Sequence, residues 1–195
     1  PKNQVALKDY VKTVTDAVNA QAGKVILVGH SMAGVVVSQV AENIPDKISK
    51  LVYVSAYLPR NGEDLLSLSK QDAQSKVGTA LEFAPDYSAA SIKKEAIVPA
   101  VCADCPAFMQ EVLVKYHQAE PAKPLGEKVV LTSAKFGRVP KYYISTTQDN
   151  AVGYQLQQQM IKNNGSIKKV VEMNTSHLPF VVQPEEFLNI LTTIK

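Results

Sequence analysis

The run Lys24-Val25-Ile26-Leu27-Val28-Gly29-His30-Ser31-Met32-Ala33-Gly34 decides how the rest of the chain is read. Its opening six residues are apolar on both faces, which suits a parallel strand covered by helices on each side. From Met32 to Asn43 the small and branched residues predict a helix, closed before Pro45. A serine between such a strand and such a helix sits on a tight, strained turn. Small neighbours let the backbone pass, and the hydroxyl is lifted above the strand ends. The Met32 amide is then placed to donate a hydrogen bond to an oxyanion. The strict pattern asks for glycine at position 33. Ala33 followed by Gly34 is a minor departure. The plain alternative is a strand–turn–helix with an incidental serine.

Working outward, Leu7, Tyr10, Val11, Val14 and Val18 recur every three or four residues and predict an amphipathic helix over 5–19, with Gly23 as its stop. Leu51–Ser55 reads as a second buried strand, Lys141–Ser145 as a strand, and Lys169–Met173 as the last one. A helix is expected over Ala151–Asn163, and Pro184 opens a terminal helix through Phe187, Leu188, Leu191 and Ile194. Between Leu58 and Lys135, prolines at 59, 85, 99, 106, 121 and 124 interrupt helical patterns such as Ser88–Ala96 and Ala107–His117. That stretch predicts an insertion made mostly of short helices. Strands alternating with helices give an α/β fold with a mainly parallel sheet. The expectation is one domain over 1–195 with the insertion at about 60–135.

The 195 residues are 46% hydrophobic and 20% charged, which excludes a disordered or low-complexity chain. No apolar run approaches the ~20 residues of a membrane helix. A net charge of +3, scattered along the chain, does not make the basic stripe of a nucleic-acid binder. Two cysteines and three histidines leave little for a metal site, and there is no phosphate-binding glycine loop. The expectation is no cofactor and no metal. Cys102-Ala103-Asp104-Cys105 lacks the setting of a redox motif, and its cysteines are expected free or joined locally, without a catalytic role.

A serine needs a base to take its proton and a third group to orient that base. His30 adjoins Ser31 and is expected to pack beside the pocket. His117, in the insertion, reads as a surface histidine in water. His177 follows the last strand, where parallel sheets collect functional groups. Asp149, after the preceding strand and before a helix, is the expected acid, although an aspartate there also serves as a plain cap. Asp104 and Asp86 are the fallbacks. The chain order Ser31, Asp149, His177 is that of the strand–turn–helix serine hydrolases.

These pieces together resemble α/β-hydrolases of the methylesterase and hydroxynitrile-lyase group, including bacterial relatives. The resemblance rests on Val28–Gly34, Leu51–Pro59, Val139–Ile144 with Asp149, and Ser176-His177-Leu178-Pro179 with Pro184. It is weak across 60–125. It implies Ser31 as nucleophile, His177 as base, Asp149 as acid and the insertion as a cap over an apolar pocket. His30, Tyr57, Phe108 and Leu178 are assigned to that pocket. Hydroxynitrile lyases of this kind look to carry lysine after the histidine to stabilise cyanide. Leu178 cannot supply that charge, so hydrolysis of a small, fairly apolar carboxylic ester is favoured. A non-catalytic ligand-binding protein on the same fold is the rival.

By the same resemblance the readable strands match the second half of the hydrolase sheet. Its earlier strands, and the loop with the second oxyanion donor, have no counterpart here. Strand 24–29 would then stand at an open edge. The expectation is a chain lacking the N-terminal strands of the fold, which either oligomerises or is completed by a missing N-terminal segment. No signal-peptide pattern follows Pro1. The compartment stays open.

Overall fold

The computed structural model describes residues 2–194. Pro1 and Lys195, the ends of the expected domain, lie outside the described residues. The alternation opens with α1 (Leu7–Asn19), β1 (Val25–His30), α2 (Ala33–Asn43) and β2 (Ile48–Val54). It resumes with β6 (Lys141–Thr146), α7 (Tyr154–Asn164), β7 (Ile167–Met173), α8 (Pro179–Val182) and α9 (Pro184–Thr193). The four strands form one parallel sheet in the order β1-β2-β6-β7. Their carboxyl ends therefore share one edge, and Ser31, Asp149 and His177 all follow such ends.

The register sorts side chains onto two faces. Leu27 lies opposite Leu51, and both join Tyr53, Tyr143 and the buried sides of α1 and α2. Val28 lies opposite Val52, on the face where α9 packs Phe187, Ile190 and Leu191 against Val54, Ile144 and Met173. α9 does not reach β1, so Ile26 and Val28 stay 43% and 44% exposed. Among the described residues β1 is one edge of this sheet, as the sequence led us to expect.

Between β2 and β6 lie α3 (Leu65–Ser69), α4 (Val77–Ala80), β3 (Leu81–Phe83), β4 (Ala89–Ile92), α5 (Lys94–Val101), α6 (Ala107–Tyr116) and β5 (Glu120–Pro121). The four short helices are as expected, but one reading needs correction. β3, β4 and β5 form an antiparallel sheet, and the Ser88–Ala96 stretch read as helical supplies its middle strand. Pairing on both sides satisfies the β4 backbone, and this overrides a weak local pattern. Asp86, a fallback acid, is a turn residue whose Oδ1 accepts the Ser88 amide at 3.0 Å.

Two helix starts also shift. α1 begins at Leu7 rather than Val5 and ends at Asn19 as expected, where the Ala20 amide bonds Asp16 O. α7 starts at Tyr154 rather than Ala151, because the Ala151 and Val152 amides are already bonded to Asp149. Its far end closes on Gly165 in the left-handed region (φ 66°), which only glycine adopts without strain.

Candidate active site

The turn after β1 is built as its sequence demands. Ser31 has φ 54°, a left-handed conformation costly for a non-glycine residue and characteristic of functional turns. A Cβ on Gly34 would fall 2.0 Å from the Tyr57 carbonyl oxygen, and one on Gly29 would fall 2.8 Å from Val37 Cγ2. Both positions therefore require glycine, whereas Ala33 is accepted as the first residue of α2. The Ser31 amide bonds Val54 O and its carbonyl accepts the Tyr57 amide, which ties the turn to the end of β2. The Met32 amide donates to no acceptor among the described residues.

The loops after β6 and β7 bring Asp149 and His177 together. The Thr147 amide bonds Met173 O and the Gln148 amide bonds Thr175 O, which locks one loop to the other. His177 Nδ1 lies 2.8 Å from Asp149 Oδ2, and the two residues are only 3% and 4% exposed. That oxygen also accepts Thr146 Oγ1 at 2.8 Å and Gln157 Nε2 at 3.2 Å. Oδ1 accepts the amides of Ala151 and Val152 at 2.8 and 2.9 Å. So many donors hold the carboxylate that its proton-accepting edge meets Nδ1–H, leaving the Nε2 lone pair of His177 free. Asp149 thus both closes the turn ahead of α7 and partners the histidine.

His30 does more than pack nearby. Its Nε2–H donates to the His177 carbonyl at 2.9 Å, and the Ser55 hydroxyl donates to the same oxygen at 3.1 Å. The two imidazoles lie with centroids 4.5 Å apart, and Phe180 meets His30 edge-on at 5.1 Å. Burial, followed by the nearby His177, pushes the His30 pKa down to about 3. It remains neutral at any working pH.

Ser31 and His177 line one cavity of about 400 Å³ with His30, Met32, Tyr57 and Val152. No direct hydrogen bond joins the serine hydroxyl to the imidazole, a looseness common in unliganded sites. The insertion closes the cavity with Leu65, Leu66, Leu81, Ile92 and Leu125, so its walls are largely apolar. A larger open groove of about 630 Å³ runs beside α1 and α2, remote from these groups.

Three sequence readings are corrected here. His117 is not a histidine in water: it lines the cavity, and its Nε2 accepts the Ile92 amide at 3.3 Å and contacts Ser91 Oγ at 3.1 Å. Phe108 is 64% exposed on α6 and does not line the cavity, because that helix buries no residue. Leu178 is buried beside Cys102 and Cys105 rather than in the cavity. Those two cysteines form a disulfide.

Residues 3–190 match the sequence profile of the alpha/beta hydrolase family. The chain belongs to the alpha/beta hydrolase family. Among its curated relatives is the putative methylesterase 11, chloroplastic, of Arabidopsis thaliana. It is 30% identical over 200 residues, covering 97% of this chain and 51% of that protein. Methyl jasmonate esterase 1 of Vitis vinifera is 30% identical over 179 residues, 83% of this chain and 66% of that protein. The chain thus spans about half to two thirds of the length of these relatives. A pyrethroid hydrolase crystal structure superposes with a TM-score of 0.85 at 21% identity, covering 97% of this chain and 78% of that one. That likeness shows a shared fold.

In this alpha/beta hydrolase, sequence reasoning missed Ser55, Thr146 and Gln157. Ser55 carried a signal, since it directly follows β2 at the functional edge of the sheet. Gln157 carried none, because a buried glutamine in a helix looks like any polar helical residue. Among the described residues no group of three or more His, Cys, Asp or Glu is placed to hold a metal ion. No helix among them is long and apolar enough to cross a membrane.

Proposed function

We propose that the protein is a serine hydrolase of small, fairly apolar carboxylic esters. The observation that carries this reading is the buried His177–Asp149 pair at 2.8 Å, whose histidine lines one cavity with a serine held at φ 54°. The names of the relatives, methylesterase and methyl jasmonate esterase, support an ester as the substrate.

Ser31 Oγ attacks the ester carbonyl while His177 Nε2 takes its proton. Asp149 keeps the other proton on Nδ1 and stabilises the imidazolium that forms. The tetrahedral oxygen gathers negative charge and accepts the Met32 N–H. Its collapse expels the alcohol, which leaves with the proton from His177, and an acyl group remains on Ser31. Water, deprotonated in turn by His177, releases the acid and regenerates the serine. The apolar lining favours a hydrophobic acyl or alcohol part. Ser91 and His117 give one wall polar contacts.

The test is hydrolysis of short aryl esters by the full-length protein. Turnover is expected in the wild type and absent in Ser31→Ala. Ligand retention in the cavity with no turnover by the wild type would favour the non-catalytic rival instead.

A further inference from the structure

Asp104 stands apart from the proposed triad yet touches the loop that carries its base. Its Oδ2 accepts the Ser176 amide at 2.7 Å, one residue before His177. The Ser176 hydroxyl reaches back to the Val101 carbonyl at 3.4 Å, so one residue is held by both ends of the same short segment. On the other side of His177, Leu178 packs against Cys102 and Cys105. The segment presenting these contacts is closed on itself. Cys102 and Cys105 are joined by a disulfide, the Cys105 amide bonds Cys102 O at 3.2 Å, and Gln110 Nε2 bonds Cys105 O at 2.9 Å.

We propose that Asp104 is a positioning residue for His177, presented to the histidine loop by the disulfide-closed turn Cys102–Cys105. The inference rests on the reading of His177 as the base. The loop after β7 carries His177 with its ring fixed by Asp149 and its carbonyl fixed by His30 and Ser55. Those contacts act on His177 itself and come from the sheet side. Asp104 and Leu178 hold the backbone immediately before and after it from the cap side. A carboxylate accepting a backbone amide is a strong, directional tie. The bridge removes freedom from the turn that aims it, so the carboxylate stays in place without closing on Ser176 at each turnover. Cap and base are thereby one mechanical unit. A displacement of the order of 1 Å at a reacting group costs about 10² in rate, which is the scale such a clamp guards against.

The test compares Asp104→Ala with Asp104→Asn in the full-length protein. The asparagine keeps an oxygen that can accept from Ser176. Two readouts are needed. The first is hydrogen exchange at the Ser176 amide, which is independent of any turnover. It is expected to speed up at least tenfold in Asp104→Ala and to stay near wild type in Asp104→Asn. The second is steady-state hydrolysis of a short aryl ester. Here kcat is expected to fall about 10- to 100-fold in Asp104→Ala with KM within twofold, and Asp104→Asn to recover most of it. Excess dithiothreitol, oxidised to its cyclic disulfide as both cysteines become thiols, is expected to speed Ser176 exchange in the wild type. Unchanged Ser176 exchange in Asp104→Ala, or an Asp104→Asn variant as impaired as the alanine, overturns the proposal. Exchange unmoved by reduction overturns the part assigned to the bridge. Failure of the wild type to hydrolyse any ester would sink the reading of His177 as base while leaving the exchange result to judge the clamp.

Discussion

Asp149 divides its two oxygens between structure and chemistry, and that division sets what its amide analogue would do. Oδ1 faces two backbone N–H groups and Oδ2 faces His177, Thr146 and Gln157, all of them donors. In Asp149→Asn one position becomes an NH2 group. It must either confront the backbone amides or meet His177 Nδ1, where it stabilises the tautomer with the proton on Nε2. We expect kcat to fall by roughly 10³–10⁴ with little change in KM. Steady-state kinetics on aryl esters check this, and a loss below tenfold would remove Asp149 from the role. At this scale the sequence was informative where a residue follows a strand end: Ser31, Asp149 and His177 were singled out that way, and they lie at one edge of the sheet. It was silent where a residue acts across long separations. Asp104 meets Ser176, His30 meets the His177 carbonyl, and His117 turns its Nε2 to β4, each through contacts that no local pattern encodes.

Among the elements, β6 carries a second consequence of burial. Lys141 at its start is fully buried, with Nζ donating to the Phe136 and Val139 carbonyls at 2.8 and 3.0 Å and lying 4.1 Å from the Phe136 ring centroid. Burial pushes its pKa down to about 8. Between pH 8 and the usual lysine value, the unfolded chain keeps a proton that the folded chain has released. Stability attributable to this group therefore rises with pH across that window. We expect wild type to gain roughly 2–3 kcal/mol relative to Lys141→Met between pH 7.5 and 10.5. Urea unfolding of both proteins at the two pH values measures it, and parallel pH profiles would contradict it. The parallel strands of the main sheet were legible because their apolar runs are short and bounded by turn residues. The cap sheet was not. β5 is two residues long, and β4 takes its conformation from neighbours on both sides rather than from its own residues.

For the molecule as a whole, the open edge of β1 is the feature with the widest reach. Ile26 and Val28 continue an apolar face that α9 covers only over the other strands, and Leu188 on α9 is exposed as well. Unpaired strand groups beside exposed aliphatic side chains invite pairing with another strand. We expect a chain of these residues alone to self-associate at micromolar concentration. The double substitution Ile26→Lys and Val28→Lys should shift it toward monomer in analytical ultracentrifugation. A wild-type monomer would show that the edge tolerates water. The central claim, that Ser31 is the nucleophile of a His177–Asp149 pair, is tested most directly by mass spectrometry of the full-length protein after treatment with a serine-directed phosphonate. The account predicts a single adduct on the peptide containing Ser31, absent in Ser31→Ala and formed much more slowly in His177→Ala. An unmodified Ser31 in protein that hydrolyses esters, or an adduct at another residue, would contradict it.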